Sequence, residues 1–170
     1  MPTYLFLIVI LVCLVFHLSF GISRKKSIMK LDLEIAEKRR LEQMLESNIL
    51  FAVFIIGICF FISLIHLFIL DWHPLLFPMT IMESKITDYF GMFLVKISFI
   101  CNIVLYFQVS NKFSFELNYL TVEKVLRLES LILFTNVLLS SGVFIYIPNV
   151  FSFTTFLYAV CFFCYRKFRS

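Results

Sequence analysis

Residues 130–165 contain no aspartate, glutamate, lysine or arginine. A hydrocarbon core about 30 Å thick is crossed by about 20 helical residues rising about 1.5 Å each. Thirty-six uncharged residues therefore exceed one crossing and suit two, with Pro148-Asn149 near the middle supplying a turn. Two further stretches have the same character. Residues 1–23 carry no formal charge, and neither do residues 49–70. A chain built this way needs lipid as its solvent.

Composition agrees. The apolar fraction is 61%, charged residues are 15%, and mean hydropathy is +0.97 over 170 residues. Soluble domains hold about 45–50% apolar and about 25% charged residues. A small water-soluble fold keeps too much surface exposed to hide this excess. The net charge of +4 does not point to nucleic acid, because the cations stand in short clusters between apolar runs. Phenylalanine contributes 23 residues and glycine only 4, which predicts packing through large side chains.

These features predict an all-α, polytopic transmembrane helix bundle of about five spans forming a single membrane domain, 1–170. The expected spans are 2–22, 49–70, 89–109, 130–147 and 150–165. A cytoplasmic helical stem, 23–48, joins the first two. An outer loop, 71–88, and an inner loop, 110–129, join the next ones. The first span reads as a retained helix and not a cleaved leader, since no cation precedes it and no small-x-small site follows. In the stem, Lys30, Glu34, Lys38 and Glu42 alternate in sign at i, i+4 spacing, and neither glycine nor proline interrupts it. Its apolar residues form no single stripe, so a long coiled coil is not expected. Asp71-Trp72-His73-Pro74 marks the exit of the second span, and 79–86 reads as a short interfacial helix. Leu120–Leu128 reads as an amphipathic helix on the inner surface.

Orientation follows from the cations. In an alternating five-span topology, 13 of the 15 basic residues fall on one side, leaving Lys85 outside and Lys96 within a span. The positive-inside rule then puts the N-terminus outside and the C-terminus in the cytoplasm or matrix, in a bacterial or organellar inner membrane.

Candidate site residues are few. Lys96 stands about two turns inside the third span, and an intramembrane charge is a functional candidate by default. Three readings are open for it: snorkelling to the headgroups, pairing with another helix or chain, or a proton or ion path entered past Glu83 and Asp88. Asn102 and Asn136 are expected to hydrogen-bond between helices, as are Ser140 and Ser141. His17, His66 and His73 read as interfacial hydrogen-bonding groups. Cys161-Phe162-Phe163-Cys164 has C-x-x-C spacing, and Arg166 and Lys167 offer some of the electropositive setting a reactive thiolate needs; the outer loop holds no partner cysteines, however, so all five cysteines read as small apolar fillers. No hydrolase, metalloprotease or phosphate-loop motif occurs. No catalytic residue, metal ligand or cofactor is expected.

Tyr89-Phe90-Gly91 is faintly similar to the Tyr-x-Gly of a small membrane-arm subunit of respiratory complex I. The likeness covers three residues and carries no functional residue over. Immunity proteins against pore-forming bacteriocins are similar in size and character, without a shared motif. The expected function is that of a non-catalytic accessory or structural subunit of a larger membrane complex, whose partners are the bilayer and other membrane subunits. The alternative is a stand-alone membrane binding protein, such as an immunity protein or a small channel-like or transporter-like protein.

Overall fold

A computed structural model describes residues 3–68, 85–108 and 122–169. They form five α-helices and no strand: α1 (Thr3–Met29), α2 (Ile35–Phe68), α3 (Lys85–Phe107), α4 (Val122–Tyr146) and α5 (Val150–Arg169). Of the expected outer loop 71–88 and inner loop 110–129, residues 71–84 and 110–121 lie outside the described residues, with Glu83, His73 and residues 79–84 of the expected interfacial helix.

Four helices contain stretches long and apolar enough to cross a membrane: Leu7–Met29, Ile35–His66, Ile86–Phe107 and Lys124–Tyr146. The fifth, α5, is the shortest at 20 residues; it carries Ser152, Thr154 and Thr155 near its start and Arg166, Lys167 and Arg169 at its end. It does not meet the same test among the described residues.

The continuous stem expected over 23–48 is divided. First, α1 runs on to Met29, where Lys30 N–H and Leu31 N–H donate to the carbonyls of Ser27 and Ile28 at 3.1 Å. Such i to i+3 bonds tighten and end a helix. Lys38 Nζ then donates to the Met29 carbonyl at 2.5 Å, placing a cation on the negative end of the α1 dipole. Next, α2 starts at Ile35 and continues into the second span without a break. The two halves fold back on each other as a hairpin around Ile28, Leu31, Leu41 and Leu45. This explains the missing stripe: each half buries its apolar residues against the other. Likewise, the amphipathic segment expected before residue 129 is, from Val122, the first turns of α4.

The α4–α5 turn falls at Pro148-Asn149 as expected. Asn149 Oδ1 accepts from Ser152 N–H at 2.8 Å, and Ser152 Oγ accepts from Asn149 N–H at 3.1 Å. That is a reciprocal helix N-cap.

Side-chain contacts give every helix the direction opposite to its chain neighbour. Phe16 and Phe20 meet Tyr106 of α3, with ring centroids 5.3 and 5.5 Å apart. Phe20 also clusters with Leu105 and Ile132. On the other side of the bundle, Phe51 stacks on Phe162 of α5 at 3.8 Å. The main core gathers Ile10, Ile55, Ile56, Val95, Leu139 and Val143. The C-terminal ends of α1 and α5 and the N-terminal ends of α2 and α4 consequently share one end of the bundle, with their cations.

Packing through large side chains does not hold at the α3–α4 crossing, the most extensive helix pair. A Cβ at Gly91 would stand 2.9 Å from the Gly142 carbonyl oxygen, and one at Gly142 would stand 2.8 Å from the Gly91 oxygen. The backbones touch there, as small residues allow in membrane bundles.

Candidate functional site

Polar side chains from four helices converge at the basic end of the bundle. Arg24 of α1 and Glu129 of α4 approach to 3.0 Å between Nε and Oε1, with both side chains almost fully buried. Asn48 of α2 donates from Nδ2 to Glu129 Oε2 at 3.0 Å. One helical position earlier, Ser47 Oγ accepts from Arg166 Nη2 of α5 at 2.5 Å, and the Arg166 guanidinium lies 5.3 Å over the Phe162 ring. The helices bring these groups together because each stands at the end of an uncharged stretch: Arg24 after 1–23, Asn48 before 49–70, Glu129 before 130–165 and Arg166 after it. Antiparallel packing puts all those ends at one level.

The cluster is not saturated. Arg24 Nη1, Asn48 Oδ1 and Arg166 Nε are buried without a hydrogen-bond partner among the described residues. His17, two turns deeper on α1 and 2% exposed, has neither ring nitrogen paired among the described residues, and its ring lies at 70° to that of Phe20. Interfacial hydrogen bonding, expected for this histidine, is not what it does. His66 is half-buried with its ring set against Tyr146.

An open cleft of about 640 Å³ lies beside the cluster, between α2, α4 and α5. Asn48 and Glu129 line it together with Arg40, Arg166, Lys167 and Glu37, and Leu133 and Phe163 give it apolar walls.

The residues singled out in the sequence lie elsewhere. Lys96 and Asp88 are both exposed on α3, and neither forms an ion pair with a described residue. Neither side chain faces the interior of the bundle. Asn102 and Asn136 are buried, yet their amides donate within their own helices, to the carbonyls of Ser98 at 2.7 Å and Ile132 at 2.8 Å. The expected bonds between helices are replaced by i to i−4 back-bonding, which a polar side chain in a helix reaches without any neighbour. Ser140 and Ser141 likewise donate within α4, to the carbonyls three residues back, Val137 at 3.0 Å and Leu138 at 2.8 Å. Of the five cysteines, Cys13 and Cys59 are buried fillers, Cys101 is half-buried, and Cys161 and Cys164 face outward from α5.

Sequence reasoning treated Arg24 and Arg166 only as orientation charges and Glu129 as a loop residue. One signal was present: Glu129, like Glu46, is a carboxylate directly bounding an uncharged stretch at the basic end of the bundle. Among the described residues, no three or more His, Cys, Asp or Glu side chains gather to hold a metal ion. Compared with known proteins, this chain matches no family model, no curated protein and no solved structure.

Proposed function

We propose that this chain is a non-catalytic integral membrane protein, an accessory or structural subunit of a larger membrane complex, with α5 as a fifth span. The observation that carries the reading is how the polar groups at bundle depth are used. Arg24, Glu129, Asn48 and Arg166 join the chain's own helices, while outward faces carry large apolar residues such as Phe54, Phe61, Phe93, Phe134 and Phe151. A catalyst needs convergent groups aimed at a reacting atom. A subunit needs a rigid bundle and apolar faces at lipid depth, where association rests on packing and not on escape from water. Lys96, turned away from the bundle interior, lends no support to a conducting path. In this reading the basic end faces the cytoplasm or matrix of an inner membrane, and the N-terminus faces out.

Extraction from native membranes in mild detergent tests it. The expected outcome is co-purification with a stoichiometric membrane partner. A monodisperse monomer at all detergent concentrations would count against a subunit and favour a protein that acts alone.

A further inference from the structure

We propose that the cleft between α2, α4 and α5 holds the phosphate of an anionic phospholipid, with the first acyl carbons lying against Leu133 and Phe163. The inference rests on the membrane reading above but not on the existence of a partner subunit.

Charge comes first. Arg40 enters the cleft from α2, and Arg166 and Lys167 enter from α5. The carboxylate at its floor, Glu129, is already engaged by Arg24 and Asn48, which leaves Glu37 to offset Arg40 and Arg166 in the lining. Basic pockets between spans on the inner side of a membrane are a recurring headgroup site. The donor geometry fits as well. Arg166 spends Nη2 on Ser47, while its Nε is buried and unpaired; a guanidinium offers five donors in a fixed fork that suits phosphate oxygens.

Shape separates lipid from free anion. Along α2, Arg40 and Asn48 are eight residues apart, roughly 12 Å at 1.5 Å per residue. Arg40 marks one level, and at the other Arg166, bonded to Ser47, lines the cleft together with Leu133 and Phe163. A phosphate ion would use the cations alone, whereas a phospholipid uses the cations and the apolar wall together.

The test uses the full chain purified in a neutral detergent, with thermal unfolding and native mass spectrometry as readouts. Phosphatidylglycerol, phosphatidylcholine and inorganic phosphate are added separately at matched ionic strength. The expected result is stabilisation and adduct formation with phosphatidylglycerol in preference to phosphatidylcholine. Arg40→Gln and Arg166→Gln should each lower that preference by about fivefold, the weight of one cation near an anionic headgroup. Arg39→Gln, exposed and outside the cleft lining, should leave it intact. If Arg166→Gln fails to fold, the exposed Arg40→Gln carries the test alone. Equal response to both lipids, or full preference retained in Arg40→Gln, would overturn the proposal. Inorganic phosphate reproducing the whole stabilisation would overturn the lipid assignment and leave an anion site. A lipid-selective monomer would sink the subunit reading only, and a complex indifferent to lipid charge would sink this one only.

Discussion

The Arg24–Glu129 pair sets the largest single-residue effects expected in this protein. Removing one member of a buried ion pair leaves the other charge desolvated and alone, at a cost of about 3–5 kcal/mol, whereas replacing both by apolar residues is often neutral. Glu129→Leu should therefore destabilise strongly, and Arg24→Met with Glu129→Leu should recover most of the loss. Thermal unfolding of the two single variants and the double in one detergent measures the coupling; additive losses would mean that the pair contributes nothing as a pair. Asn48 shares Glu129 through a 3.0 Å hydrogen bond, so Asn48→Ala belongs in the same cycle. Lys96 is the opposite case. It points outward and has no described ion-pair partner, so Lys96→Leu should change stability by no more than about 0.5 kcal/mol. A larger loss in the same assay would mean that another chain or lipid holds it.

At the scale of the elements, the α3–α4 crossing is the point of least tolerance. A methyl at Gly91 meets backbone atoms of α4 at 2.9 Å, which no rotamer change can relieve. Gly91→Ala should cost about 1–3 kcal/mol, as overpacking does. Gly57 is the internal control: nothing lies within 4 Å of a Cβ placed there, so Gly57→Ala should be neutral, or stabilising by up to about 1 kcal/mol through helix propensity. Equal effects at the two positions, read by unfolding temperature, would argue against the close crossing. The α1–α2 hairpin is held differently, by Ile28, Leu31, Leu41 and Leu45 and by the half-exposed Lys25–Glu46 pair at 2.8 Å. An exposed pair of that kind contributes little, because water screens it. The hairpin's shape is therefore a matter of apolar packing and of the Lys38 cap on α1.

For the whole molecule, alternating helix directions gather the cations at one end, and the number of crossings decides what that end faces. With α5 spanning, the chain ends lie on opposite sides of the membrane. Cysteine accessibility labelling or reporter fusions at both ends should then report opposite compartments, with the C-terminus inside; both ends in one compartment would mean that α5 does not cross. Its cations Arg166, Lys167 and Arg169 bring it below the apolar threshold that the other helices pass. The stacked Phe51–Phe162 rings and the Ser47–Arg166 bond nevertheless dock the C-terminal end of α5 against the middle of α2.

Much of this architecture was legible in the amino-acid order. Uncharged runs such as 49–70 and 130–165 announce helices because backbone in hydrocarbon must satisfy its own hydrogen bonds, and Pro148-Asn149 announces a turn because proline cannot continue a helix and asparagine caps one. These are local constraints, set by neighbours in the chain. The polar cluster was not legible. Arg24 and Glu129 are more than a hundred residues apart, and each alone has the pattern of an ordinary boundary charge. Asn102 and Asn136 erred in the other direction: polar groups in a span suggest partners on other helices, yet the carbonyl one turn back was nearer. Which helix faces meet, where glycines let backbones touch, and whether a charge turns inward like Glu129 or outward like Lys96 are properties of the packed bundle. Only the tertiary structure decides them, because apolar side chains gain almost as much from lipid as from one another and so leave the choice of neighbour to shape and to a few buried polar contacts.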